Sequence, residues 1–131
     1  MDTRLMKHGM FSWNELLTED VAAASSFYTE LLGWEAEEQE METGPYTLFK
    51  VDGEQVAGLM QLPEQAKQMG APPNWGSYIT VDDTDAIAAK VEELGGKILV
   101  PPTDIPALGR FCTFQDPQGA VISVIKYVYE S

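Results

Sequence analysis

The chain has 131 residues, 44% of them hydrophobic and 10% aromatic, which suits one compact domain with its own core and excludes a disordered tail. Its 21 acidic and 8 basic residues give a formal net charge of −13, which repels phosphate backbones and anionic membranes and argues against nucleic-acid or membrane binding. The single cysteine, Cys112, excludes an intrachain disulfide, and no apolar run reaches signal-peptide or membrane-spanning length, so the expected setting is the cytoplasm.

Large apolar residues over 11–17 read as a first strand. Alternation along it puts Trp13 and Glu15 on one face, Asn14 and Leu16 on the other. Thr18 or Asp20 can then cap a helix, because a short oxygen-bearing side chain accepts orphan backbone N–H groups. Val21, Ala24, Phe27, Tyr28, Leu31 and Leu32 recur at helical spacing, and Gly33 supplies the left-handed stop. Strands are predicted over 34–41, 46–51 and 55–62, with turns at Gly44-Pro45 and Asp52-Gly53. A connector over 63–74 holds Pro63, Gly70, Pro72 and Pro73, with one helical turn near 64–69. The second half repeats the order. A strand over 78–81 leads to a helix capped by Asp82 or Asp83, with Ile87, Val91 and Leu94 on one face and Gly95-Gly96 at its end. A short strand over 97–100, a proline-bearing loop over 101–109, a strand over 110–115, a turn at Asp116-Pro117-Gln118-Gly119 and a strand over 121–127 complete the chain.

The halves also match residue by residue. A shift of 62 positions places Trp13 on Trp75, Thr18 on Thr80, Asp20 on Asp82 and Ala24 on Ala86. Glu30 then falls on Glu92, Leu32 on Leu94 and Gly33 on Gly95. This points to duplication of one strand–helix–three-strand unit. The predicted fold class is α+β: two βαβββ modules, about 9–62 and 75–128, joined by the connector within a single domain 1–131. Each small sheet needs a cover for its apolar face. The expected solution is a curved mixed sheet, largely antiparallel, with helices on its outer face and a cavity on the other.

Phe27-Tyr28 followed by Leu31-Leu32-Gly33-Trp34, then Leu94-Gly95-Gly96, then Asp116-Pro117-Gln118-Gly119-Ala120, resemble in order and spacing the glyoxalase/bleomycin-resistance/extradiol dioxygenase group, the vicinal oxygen chelate superfamily. Phe11-Ser12-Trp13-Asn14-Glu15-Leu16 resembles the first strand of one branch. The resemblance implies paired βαβββ modules and, often, a homodimer. It also implies four metal-ligand positions on strands. These fall at Trp13, near Gly76, at Met60 or Gln61, and at Ser123, four residues after Gly119. Indole, glycine, thioether or amide, and hydroxyl do not make a usual divalent-metal shell, so neither a metal nor another cofactor is expected. His8, the only histidine, lies ahead of the first strand and reads as a solvated side chain.

Glu15 is the candidate acid–base residue or polar anchor, since a carboxylate in an apolar hollow is made more basic by desolvation. Trp13, Glu15, Phe49, Met60, Tyr78, Arg110, Phe111 and Ser123 are the candidate ligand contacts. Core packing is the plainer role for most of the apolar ones, and a surface salt bridge for Arg110. Trp75 has the opposite parity to the cavity and is expected under the second helix. Cys112 reads as a small buried residue with no histidine to activate it. Three functions follow as expectations. The first is a metal-independent small-molecule binder enclosing a partly apolar ligand. The second is a lyase, isomerase or dioxygenase-like enzyme using Glu15. The third is an interaction module whose trough is filled by side chains.

Overall fold

The computed structural model describes residues 3–41, 44–106 and 108–128. The chain forms two compact units, one spanning Trp13–Gly76 and the other combining Met1–Ser12 with Ser77–Ser131.

In the first unit β1 (Phe11–Thr18) leads into α1 (Val21–Leu32), followed by β2 (Glu35–Met41), β3 (Gly44–Val51), β4 (Glu54–Gln61) and the short α2 (Glu64–Gln68). Asp20 caps α1, its carboxylate accepting from the Ala23 N–H at 3.0 Å, and Gly33 ends it at φ 74°. The strand order is β2-β3-β4-β1. The β2/β3 and β3/β4 pairs are antiparallel; β1 runs parallel to β4, with Glu15 beside Gly58. Leu16, Phe49, Ala57 and Leu59 form the core, and Val21, Ala24, Tyr28 and Trp34 pack on it from the helix side. β2 lies at the edge of this order and carries Glu35, Glu37, Glu38 and Glu40, charges that discourage pairing with a foreign strand.

In the second unit β5 (Asn74–Thr80), whose first residues belong to the first unit, precedes α3 (Thr84–Glu93), β6 (Lys97–Ile105), β7 (Gly109–Gln115) and β8 (Val121–Tyr127). Asp83, not Asp82, caps α3 through the Ala86 N–H at 3.1 Å. The order is β5-β8-β7-β6, with β5 and β8 parallel and the remaining pairs antiparallel. Val81, Ala88, Cys112 and Val124 form the core beneath α3. The two βαβββ modules expected from the sequence are therefore present.

Two details correct the sequence reading. The segment 101–109 is not a loop throughout, because β6 continues to Ile105 with irregular register between Val100 and Thr103. Pro101 and Pro102 sit in that irregularity on an edge strand, where a missing N–H costs no interior ladder bond. Trp75 packs against Tyr28 and Trp34 of the first unit, with ring centroids at 5.5 and 6.3 Å, and not under α3. Its indole N–H donates to the Tyr28 hydroxyl at 3.1 Å, which gives the ring a polar partner there. The residues ahead of β1 are tied down too. Gly9 and Met10 exchange backbone hydrogen bonds with Thr80 at 2.8 Å each, and His8 Nδ1 accepts the Asp82 N–H at 3.0 Å.

Candidate functional site

The site follows from strand alternation. Leu16 points into the core under α1, so its neighbours Trp13, Glu15 and Leu17 occupy the opposite face of β1. In register with β1 lie Gly58 beside Glu15 and Met60 beside Leu17 on β4, and Leu48 follows beside Gly58 on β3. Gly58 has no side chain, and its bare backbone makes room. A Cβ there would coincide with the Tyr46 hydroxyl. The Tyr46 ring therefore crosses β4 from β3 and reaches β1. Its O–H donates to Glu15 Oε2 at 2.7 Å, and its oxygen accepts the Trp13 indole N–H at 3.0 Å.

The direction of this chain is fixed by chemistry. An indole nitrogen can only donate, and a phenol has one hydrogen. Tyr46 must therefore accept from Trp13 and give its proton to Glu15, which serves as the terminal acceptor. All three side chains are half-buried. The result is an aromatic patch holding one carboxylate in a set orientation.

Of the residues singled out in the sequence, Trp13, Glu15 and Met60 share this face. Phe49 does not. It is 0% exposed on the helix side, its ring 5.0 Å from Trp34 and 6.2 Å from Tyr28, because its parity matches Leu59 and not Gly58. In the second unit Tyr78, Phe111 and Ser123 lie together on the face away from α3, since Cys112 and Val124 take the core side. The Tyr78 and Phe111 ring centroids are 6.4 Å apart, and the Ser123 and Thr113 hydroxyls are bonded at 2.7 Å.

Arg110 points to the helix side and is fully engaged. It makes two hydrogen bonds to Asp85 at 2.9 and 3.0 Å and one to Asp104 at 3.0 Å. The Arg110 guanidinium holds the Asp85 carboxyl below its ordinary value, and both carboxylates push Arg110 further up. Arg110 thus makes a salt bridge to both carboxylates. Burial first, and the Asp85 charge second, push the Cys112 thiol up, so it stays protonated and inert.

Two site residues were not anticipated. Tyr46 read only as the start of a strand. Gly58 did carry a signal: an isolated glycine inside a strand marks a place where another group comes close.

This architecture and site define a class. Residues 10–124 match the model of the Glyoxalase/Bleomycin resistance protein/Dioxygenase superfamily, and the chain belongs to that family. It is 39% identical, over 95% of its length, to CFP32 of Mycobacterium bovis, which is provisionally named a glyoxylase. It is 37% identical, over 88% of its length, to the anthracycline biosynthesis protein DnrV of Streptomyces peucetius. The chain spans about half the length, 46%, of each of these curated relatives. In fold it is similar to methylmalonyl-CoA epimerase from Mycobacterium tuberculosis, with a TM-score of 0.62 and 19% identity, covering 92% of this chain and 89% of that one.

Family enzymes of the metal-dependent kind need His, Glu or Gln at strand positions that here hold Trp13, Gly76, Met60 or Gln61, and Ser123. Among the described residues no three His, Cys, Asp or Glu side chains gather in a way that could hold a metal ion. Glu15, the carboxylate on the first-strand face, is bonded to Tyr46. Indole, glycine, thioether or amide, and hydroxyl together make a poor donor set for a divalent metal. Among the described residues, too, no helix is long and apolar enough to cross a membrane.

Proposed function

We propose that this chain is a metal-independent small-molecule binder that encloses a partly apolar ligand against the face carrying Trp13, Glu15 and Tyr46. The observation that carries this reading is the hydrogen-bonded chain from Trp13 through Tyr46 to Glu15 across Gly58. It places an oriented acceptor within an aromatic patch, the pairing of apolar wall and few polar groups that small-molecule sites use. Similarity to the anthracycline biosynthesis protein supports a planar polycyclic ligand, which such a wall would suit.

Titration with an anthracycline, followed by calorimetry and by quenching of tryptophan emission, tests the reading. Saturable one-to-one binding is expected, weakened at least about tenfold by Trp13→Ala, as befits loss of an aromatic anchor. No saturable binding, or binding indifferent to Trp13, would remove it.

One observation favours a second reading, acid–base catalysis by Glu15. The Tyr46 hydroxyl lies 2.7 Å from Oε2, within proton-transfer reach. Turnover that Glu15→Gln abolishes while ligand affinity persists would favour it over simple binding. The chain is also proposed to work as a cytoplasmic homodimer. Phe27, Leu31 and Leu32 on α1 are 58%, 62% and 52% exposed, an apolar surface that pairing would cover. Light scattering should then return twice the 14.5 kDa chain mass.

A further inference from the structure

We infer that the outer face of α1 docks into a hollow beside α3 of a second copy of this chain, an inference that rests on the homodimer reading above. The hollow lies where the end of α3 meets β7 and the turn after it. Ile87, Val91 and Leu94 line it from the helix, and Phe114 and Pro117 bound it from the strand and the turn. Its volume is about 250 Å³, against the roughly 150 Å³ that admits benzene. The surface it presents is carbon alone. It can therefore hold an apolar side chain but has no polar atom to orient a small ligand.

α1 carries a matching ridge. Ala23, Phe27 and Leu31 recur every four residues and are all exposed. Rows spaced in this way pack into the groove of another helix. Charge selects the partner. Glu30 is the only charged residue of α1 and lies one turn past Phe27. Lys90 lines the hollow with its carbon stem, which leaves its ammonium at the rim. Among the described residues neither Glu30 nor Lys90 has an ion-pair partner. Asp116, the acid in the lining, is held in its turn, where Oδ1 accepts the N–H groups of Gln118 and Ala120 at 2.9 and 3.0 Å. Seating Phe27 in the hollow of another copy brings Glu30 toward Lys90. At a net charge of −13 two copies repel each other over most of their surfaces. The glutamates of edge strand β2 oppose a strand-to-strand pair. An α1–α3 contact instead joins the least charged helix to an unpaired cation, and in a two-fold pair it occurs twice.

Charge reversal, read by sedimentation equilibrium, tests the contact. Glu30 and Lys90 are both exposed, so Glu30→Lys and Lys90→Glu should each fold, which circular dichroism checks. Either variant alone places like charges at the contact and should weaken self-association at least about tenfold. An equimolar mixture of the two should recover the affinity of the unmodified chain, because each mixed contact pairs opposite charges again. That recovery should fade as salt rises. If Lys90→Glu self-associates as the unmodified chain does, α1 docks elsewhere, and the hollow is left to a small apolar molecule. That result, or a mixture that fails to recover, overturns the inference while the homodimer reading stands. An unmodified chain that stays monomeric overturns both.

Discussion

The two modules share a backbone plan but carry different chemistry on the faces away from their helices. In Trp13–Gly76 that face holds a carboxylate at the end of a one-way hydrogen-bond chain. In the other unit it holds neutral pairs, Thr113 with Ser123 at 2.7 Å and Ser12 with Tyr127 at 2.9 Å, in which either hydroxyl can donate. The helices differ as well. α3 buries Thr84, Ala88 and Val91, whereas α1 has no fully buried residue and exposes Phe27, Leu31 and Leu32. The two units repeat one folding plan without repeating these polar groups.

The cores sharpen this contrast. The first turns on one large ring, Phe49 at 0% exposure, and the second spreads the same task over Val81, Ala88, Cys112 and Val124. Phe49→Ala should cost about 3–5 kcal/mol in urea unfolding, and Cys112→Ala only about 1 kcal/mol. Equal losses would erase the distinction between the cores. The glycines rank next. A Cβ on Gly109 would meet the Lys126 carbonyl and the Tyr127 Cα, which are backbone and cannot swing aside. Gly109→Ala should therefore cost about 3 kcal/mol, the upper range for overpacking. The atoms that block a Cβ on Gly58 belong to the tip of the Tyr46 side chain, which can rotate away. Gly58→Ala should cost about 1–2 kcal/mol, lose the Tyr46–Glu15 bond, and recover stability when Tyr46→Leu is added. A double variant no more stable than Gly58→Ala alone would show that Tyr46 is not what glycine accommodates.

Much of this plan was legible in the sequence, and the reasons are physical. α1 was readable because its apolar spacing, its Asp20 cap and its Gly33 stop are all local signals. β8 was readable because a turn with a defined glycine sets its start. β6 beyond Val100 was not, since its prolines argue locally for a loop while edge pairing with β7 holds the strand. The 62-residue shift aligns the helix ends at Gly33 and Gly95, but the caps Asp20 and Asp83 and the strand faces before them follow an offset of one more residue. Leu16 and Ile79 point to their helices, whereas position 78, the match of Leu16 at that shift, is Tyr78 on the opposite face. A one-residue slip exchanges every face of a strand, which is why Trp13 and Trp75 match in sequence and lie in different surroundings. Glu15 and Trp13 were placed on one face by alternation alone. Their link through Tyr46 needed the β3/β4/β1 register, a long-range fact that no local pattern encodes.

The smallest expected effect concerns charge, and it too separates the modules. In the second unit Arg110 joins Asp85 on α3 to Asp104 on β6, so one cation ties a helix to an edge strand. In the first unit Lys50 meets Glu37 on the neighbouring strand, a local pair. Both carboxylates are held below their ordinary values, Asp85 chiefly by its hydrogen bonds to Arg110 and Glu37 chiefly by Lys50. A depressed carboxylate means that the unfolded chain binds the proton more readily than the folded one. Its stabilisation is then complete above the unfolded value, 3.8 for Asp85, and is lost as pH falls through the lower folded value. Both pairs are solvent-exposed, so the effect is small and salt-sensitive. Asp85→Asn should lower the urea midpoint slightly at neutral pH and converge with the unmodified protein in strong acid. Glu37→Gln should show the same sign with a smaller amplitude, because it loosens two adjacent strands and not a helix from an edge. If the two variants had equal amplitude, reach across the fold would count for nothing beyond the ion pair itself.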